Sequence, residues 1–338
     1  MKGRLILTGA LAAAVLPALP ASARAQGPEC SGQNTVVQDA CQKAVDMFQF
    51  LAPQLGTSIA GGAAIQGSGG TLGGLGHFSV GLRANAVGGA LPQVSGMSVA
   101  VDGAHPDQLP TKAQVLGLPA VDAAVGVYKG FPLGVTRVGG VDLLVNASYV
   151  PELDRNGFAL ATPDGSLKLG VGARVGLLQE SLVMPGVSVT YLRRDMPTMG
   201  FTASYQGNGA GEDTLQLNGL SLKTDAWRVV ASKSLLLFGV AVGAGQDRYQ
   251  SSGDLRAVVR QQTVPGVDAR YETTPVAFDQ SLTRTNYFAN LSMNLLMVRI
   301  VGEVGQVSGG NVPTYNTFGD RKADDSRLYG SVGVRVGF

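Results

Sequence analysis

From His77 to the carboxyl end the chain alternates in polarity residue by residue. In Phe78-Ser-Val-Gly-Leu-Arg-Ala-Asn-Ala86 the even positions are apolar, while Ser79, Gly81, Arg83 and Asn85 form the other face. Such a period of two belongs to strands, whose successive side chains point to opposite sides of a sheet. It returns in Leu167 to Leu177, where Lys168 and Arg174 share a face with three glycines, and in Leu328 to Phe338. The alternation predicts ten strands, near 77–88, 117–129, 138–150, 167–178, 185–194, 214–234, 238–250, 284–295, 297–308 and 326–338. Segments 94–102, 199–207 and 268–278 also have strand character and allow 12 or 14. Lengths of roughly 10 to 13 residues exceed the globular mode and suit tilted strands that cross a bilayer.

The connections alternate in length. Short turns are expected near Phe131 to Val135, Glu180 to Met184, Leu235 to Leu237 and at Leu296, and long connections over about 89–116, 151–166, 195–213, 251–283 and 309–325. A membrane barrel has this asymmetry, with tight periplasmic turns and extended outer loops. On that topology the lipid-facing Phe78, Phe238 and Phe338 lie toward the periplasmic side and Tyr149, Tyr191, Trp227 and Tyr287 toward the outside, whereas Tyr249 and Tyr329 have inward parity. Aromatics at both water–lipid boundaries are a feature of such barrels.

Ahead of His77 the period changes. Val37, Ala40, Cys41, Ala44, Val45, Phe48 and Leu51 recur at helical spacing, and Thr35-Val-Val-Gln38 matches a capping box. One amphipathic helix is expected from Thr35 to about Ala52, ending near Pro53, followed by a glycine-rich stretch from Gly61 to Gly76. Further upstream, Lys2 and Arg4, an apolar run from Leu5 to about Leu19 and the small-x-small Ala23-Arg24-Ala25 read as a cleaved export signal. The expected organisation is therefore a signal over 1–25, a leader over 26–76 and a barrel over 77–338.

Composition adds two constraints. Gly is high, at 48 of 338 residues, and charged residues make up only 15%, fewer than the solvated surface of a soluble domain carries. A soluble β-sandwich would also alternate, but it would place charge on its outer face; here the non-apolar face is mostly Gly, Ser and Asn. Without Lys2, Arg4 and Arg24 the 26 basic residues fall to 23 against 24 acidic ones, a net charge of −1. That balance gives no basic surface for nucleic acid. Cys30 and Cys41 are expected to pair in an oxidising compartment, a metal site being the weaker reading because no His adjoins them.

The last residues, Tyr329-Gly-Ser-Val-Gly-Val-Arg-Val-Gly-Phe338, end on an aromatic with Val336, Val334 and Val332 at alternating positions before it. This resembles the terminal signature of bacterial outer-membrane barrels. The resemblance covers His77 to Phe338 and implies an all-β, closed antiparallel transmembrane barrel whose last strand is presented to the barrel-assembly machinery, in contact with outer-membrane lipid and lipopolysaccharide. In layout, with an N-terminal luminal segment, the chain is similar to the FadL-type transporters of hydrophobic compounds.

Closure turns the polar face inward, because hydrocarbon leaves no water for an open edge. Lumen-lining candidates are Arg83, Asp142, Lys168, Arg174, Arg228, Arg299, Glu303 and Arg335. Internal pairing that fills a narrow bore is the first expectation for them, and a role in permeation the second. Inward glycines 81, 172, 176, 239, 243, 333 and 337 leave space toward the periplasmic half, in which residues 26–76 could dock as a plug, a free periplasmic tether being the alternative. No enzymatic centre, cofactor or metal is expected. His77 starts a strand and His105, near Asp102 and Asp107, reads as loop decoration, as do Asp320, Asp324 and Asp325. The expected function is passive passage of a small or hydrophobic solute across the outer membrane, or else a closed barrel with functional external loops.

Overall fold

The computed structural model describes residues 26–62, 68–94, 97–155, 158–207, 211–264 and 267–337; the expected signal and Phe338 lie outside them. Two helices, α1 (Pro28–Ser31) and α2 (Thr35–Ala60), precede the strands β1 (Phe78–Pro92), β2 (Thr111–Tyr128), β3 (Phe131–Leu133), β4 (Thr136–Val138), β5 (Gly140–Tyr149), β6 (Leu153–Arg155), β7 (Phe158–Ala161) and β8 (Leu167–Leu178). They are followed by β9 (Gly186–Asp195), β10 (Met199–Gln206), β11 (Glu212–Leu235), β12 (Phe238–Val264), β13 (Val267–Glu272), β14 (Val276–Leu295), β15 (Val298–Ser308) and β16 (Arg327–Gly337).

Ten of these strands pair antiparallel in the order β1, β2, β5, β8, β9, β11, β12, β14, β15, β16, and β16 returns to β1. The sheet is thus a closed barrel, with the strand count the alternation predicts. Of the three further candidates, 199–207 forms β10 and the first half of 268–278 forms β13, both outside the ring, where β10 pairs with the first part of β11 and β13 with the last part of β12, while 276–278 open β14. β11 and β12 run to 24 and 27 residues because they continue past the barrel into this extension. Residues 97–102 form no strand. The connection after β2 is longer than the tight turn expected there, since β3 and β4 make a small hairpin of their own.

Parity sorts the wall into two surfaces. Outward positions are apolar and open: Leu82 is 68% exposed, Val171 60%, Val242 59% and Val304 60%. Trp227 and Tyr287 stand at the top of this band, with Tyr191 against Trp227 at 4.6 Å between ring centroids, and Phe78 and Phe238 at the bottom. From Tyr287 to Leu295 the band covers nine residues, eight steps, along β14, about 27 Å along the strand or about 21 Å once tilted by roughly 40°, close to the apolar height of membrane barrels. Such a surface has no partner in water and matches hydrocarbon.

The leader lies inside the ring, with α2 packed against β1, β2, β11, β12 and β16. Its helix differs from expectation at both ends. Asn34, not Thr35, is the N-cap, its side chain accepting from Val36 N at 3.0 Å. At the other end α2 continues through Pro53 to Ala60. A proline inside a helix removes one N–H and orphans the carbonyl four residues earlier; here the wall supplies a substitute, Gln280 Nε2 donating to Gln49 O at 3.5 Å.

Candidate functional site: the occupied lumen

The leader runs from the long-connection end of the barrel to the short-turn end. At its start Gln33 exchanges hydrogen bonds with Thr274, between β13 and β14, and the expected disulfide joins Cys30 to Cys41, tying α1 to α2. The apolar side of α2 packs into the main core of the molecule. Phe48 meets Phe278 with ring centroids 3.9 Å apart, Phe50 stacks on Phe318 at 4.2 Å, and Leu215, Leu222, Tyr249, Leu255 and Val276 close round them. The helices, the sheet extension above the apolar belt and the long loops all contribute to this core.

An amphipathic helix leaves its polar face to solvent; this one does not. Asp39, Gln42, Lys43, Asp46 and Gln54 are all buried. Gln54 bonds the backbone of Ala90 on β1 and Gln42 bonds Gly27 N and Asp46, while Asp39, Lys43 and Asp46 reach the long loops. Asp39 accepts from the backbone of Ala100 and His105, and Lys43 bridges Asp39 at 2.8 Å and Asp107 at 3.3 Å. Asp46 accepts from Tyr315 N, Asn316 N, Asn316 Nδ2 and Gln42 Nε2 at 2.7–3.1 Å. Two helix carboxylates therefore hold down the loops 93–110 and 309–326. Burial pushes the Asp46 carboxyl up to about 6 even though four donors oppose the shift.

Halfway down, the helix ends against three buried arginines. Arg194 donates to Ala60 O at 2.9 Å and Gly62 O at 3.0 Å, Arg83 to Gly61 O at 2.6 Å, and Arg228 to Ala60 O. Asn85 adds bonds to Ser58 O and Gly61 O. The final carbonyls of a helix carry its negative dipole end and lack internal partners, so cations stabilise them. Two of the arginines are themselves paired within the wall, Arg83 with Asp122 at 2.6 Å and Arg228 with Asp247 at 3.4 Å. Gly62 turns the chain away at φ 77°, and a Cβ there would sit 2.6 Å from Arg83 Nη1.

Below this clasp, residues 68–76 cross the bore along β2, β5, β8 and β11. Gly69 N donates to Ser232 Oγ, Thr71 bonds Gln179, and Leu72 N donates to Asp142, which is also paired with Arg174 at 2.7 Å. Of the inward glycines named from the sequence, Gly176 makes room for this strap, whereas Gly81, Gly172, Gly239, Gly243 and Gly337 lie against neighbouring wall residues; Gly126, Gly140 and Gly186 also border the strap. At Gly140, for example, a side chain would collide with Thr71.

Of the lumen candidates, Arg83, Asp142, Arg174, Arg228 and Glu303 are buried inside the ring, with Glu303 3.0 Å from the Tyr329 hydroxyl. Lys168 is exposed at the long-loop rim, and Arg299 and Arg335 face inward near the short turns, opposite each other on β15 and β16. The structure brings in residues that the sequence reading did not select: Arg194, Asp122, Asp247, Arg284 and the helix acids Asp39 and Asp46. The inward parity of Arg194 and Asp247 was their available signal. Val332, Val334 and Val336 are outward and exposed on β16. His105 Nε2 lies 3.1 Å from Asp102 on an exposed loop, and His77 Nδ1 3.3 Å from Gly74 O.

No protein-family model and no curated relative matches the sequence. Among solved structures the chain is similar to the transport unit of the autotransporter AIDA-I from Escherichia coli, at 10% identity and a TM-score of 0.33, over 88% of this chain and 98% of that one. It is also similar to the TodX deltaS2S3 mutant monoaromatic hydrocarbon channel, at 8% identity and TM-score 0.29 over 83% and 97%. The Ralstonia pickettii toluene transporter TbuX matches at 11% identity and TM-score 0.27 over 83% and 96%. These values are too low to carry function across; the closed ten-stranded ring rests on its own strand pairings.

Proposed function

We propose that the chain is a bacterial outer-membrane β-barrel, exported by its amino-terminal signal, that passes a small or hydrophobic solute when the leader yields, with no catalytic centre or cofactor. One observation supports passage most: Arg83, Arg174 and Arg228 are paired with wall carboxylates without the leader, leaving Arg194, which bonds Ala60 O and Gly62 O, to be solvated by water. Arg83–Asp122, Arg174–Asp142 and Arg228–Asp247 are pairs within the barrel itself, so withdrawing residues 26–76 exposes a polar bore that water can fill rather than a set of orphaned ions. Above it the leader would uncover an apolar surface, Leu215, Leu222, Leu255, Val276 and Phe278, suited to a hydrophobic solute entering from the long-loop side.

A closed structural barrel with functional external loops is the second reading. The filling of the bore favours it: α2 buries Phe48, Phe50, Ile59 and the polar Asp39, Asp46 and Gln54 within the ring and its loops, and its last carbonyls are held by Arg83, Arg194 and Arg228. Liposome uptake separates the two. With the full chain, and with a chain lacking residues 26–72, the transport reading predicts slow and fast solute flux respectively; no flux from either, in correctly folded barrels, supports the structural reading.

A further inference from the structure

The short-turn end of the barrel is apolar to its tips. Leu235-Leu-Leu-Phe238 joins β11 to β12, Leu295-Leu-Met-Val298 joins β14 to β15, and the turn between β8 and β9 carries Leu182 and Val183. Leu182 is 94% exposed and Leu236 98%, and Leu296 is wholly exposed. The β3–β4 hairpin adds exposed Phe131, Leu133 and Val135. Hairpin tips that meet water are usually built from Gly, Asn, Asp and Ser, and apolar surface repeated from turn to turn round one rim marks an interaction site.

Backbone conformation at two of the tips is an independent sign. Leu236 has φ 50° and Leu296 φ 54°, in the left-handed region that Gly or Asn enters readily and leucine only under strain. Neither side chain is buried by the chain itself, so no contact within the protein offsets that strain. Hydrocarbon does, because a leucine side chain leaving water gains about as much as the left-handed backbone costs, or more.

Height and charge identify the occupant as lipid. The tips continue the outward belt: from Tyr287 to Leu295 it is about 21 Å tall, a little short of the roughly 25 Å of membrane barrels, and Leu296 and Met297 supply the missing rise. Lys129 and Arg137 flank the β3–β4 hairpin, both exposed, whereas Glu180, the acid of the β8–β9 turn, is bonded to Ser232 and Ser234. Lys233 ties that turn down, donating to Ser181 O at 2.6 Å and Leu182 O at 2.8 Å. Apolar tips flanked by exposed cations match an anionic leaflet.

We infer that the short-turn tips are seated in the adjoining leaflet of the membrane rather than in water, with Leu182, Leu236, Leu296 and the β3–β4 hairpin in hydrocarbon and Lys129 and Arg137 at anionic lipid phosphates. The inference rests on the reading of the ring as a membrane barrel, which a mid-belt control tests separately.

Cys30 and Cys41 are paired, so Leu236→Cys, Leu296→Cys and the control Val242→Cys can each take one nitrobenzoxadiazole maleimide in the full chain. In vesicles of phosphatidylcholine and phosphatidylglycerol, doxyl groups on the acyl chains should quench all three labels, the tip labels most at shallower doxyl positions than the control. Acrylamide on both sides of the bilayer should quench none. Spin-labelled phosphatidylglycerol should be enriched over phosphatidylcholine in the lipid immobilised by the barrel, and that preference should fall in the double variant Lys129→Gln, Arg137→Gln. Tip labels reached by acrylamide alone, with the control quenched by lipid, would overturn the seating and leave the barrel in place. Tip labels shielded from both quenchers would overturn it in favour of a protein, such as a second copy, docked on the tips. An undiminished preference in the double variant would overturn the phosphate contacts, and a control label quenched by acrylamide alone would overturn the barrel itself.

Discussion

Asp46 makes the hold of the leader on the last long loop dependent on pH. Its carboxylate accepts four hydrogen bonds, three of them from Tyr315 and Asn316, yet its pKa is raised from 3.8 to about 6 because burial outweighs those donors. The raised value means that the folded state binds the proton more tightly than the open one. The contact is therefore stronger at pH below 4, and it weakens as pH rises through 6, above which the ionised group stays buried at a cost. A shift of about two units corresponds to about 3 kcal/mol, or roughly a hundredfold in the opening equilibrium. Asp46→Asn removes the titration but leaves an amide NH2 facing one pair of donors, at about 1–3 kcal/mol for each bond lost. Near pH 7 the loss and the relief largely offset each other; near pH 4 only the loss remains. Hydrogen exchange of peptides covering 35–60 and 309–326, corrected for intrinsic rates, measures the difference. The destabilisation by Asp46→Asn should be about 2 kcal/mol larger at pH 4 than at pH 7. An effect of the variant that does not change with pH refutes the reasoning.

Three further outcomes follow from the geometry. Asp142→Asn leaves Arg174 buried without its carboxylate and frees Leu72 N, so denaturant unfolding in micelles should show a loss of about 3–5 kcal/mol, much of it recovered in the Asp142→Asn, Arg174→Met double variant; strictly additive losses would contradict the pairing. Gly140→Val drives a side chain into Thr71 and should expel the strap at a cost of about 1–3 kcal/mol, seen as faster proteolysis within 68–76 and a rise in ion conductance, while an unaltered cleavage pattern would count against it. Because α1 sits at the long-loop end, a short epitope inserted before Pro28 should bind antibody on intact cells, and staining only after the envelope is breached would reverse the direction assigned to the leader.

The wall was legible because its physics is local: each outward position needed to be apolar, and that requirement repeats every second residue from Phe78 to Val336. The extension was harder to place. Met199–Gln206 and Val267–Glu272 read as strands, but whether a strand joins the ring depends on where its partner leaves the belt, and β11 and β12 continue beyond it. The clasp was half visible for a related reason. Arg193-Arg194-Asp195 and Asp247-Arg248 put charge on both faces at the outer rim, so polarity alone does not choose which residue points inward, whereas isolated Arg83, Arg174 and Arg228 do. Pro53 misled because the rule that proline ends a helix holds in water, and Gln280 relieves it inside the barrel. An amphipathic pattern is also the same in either direction along the bore, so the orientation of the leader had no sequence signal.

The central claim is that the apolar outer face of the ring looks into hydrocarbon, and Trp227, the one tryptophan of the chain, reports on it directly. The residue is 56% exposed at the upper edge of the belt, its ring against Tyr191. In vesicles with bromine at graded depths along the acyl chains, its fluorescence should be quenched, most strongly by the shallow positions. A tryptophan quenched equally by aqueous iodide and untouched by bromolipid at any depth would contradict the account.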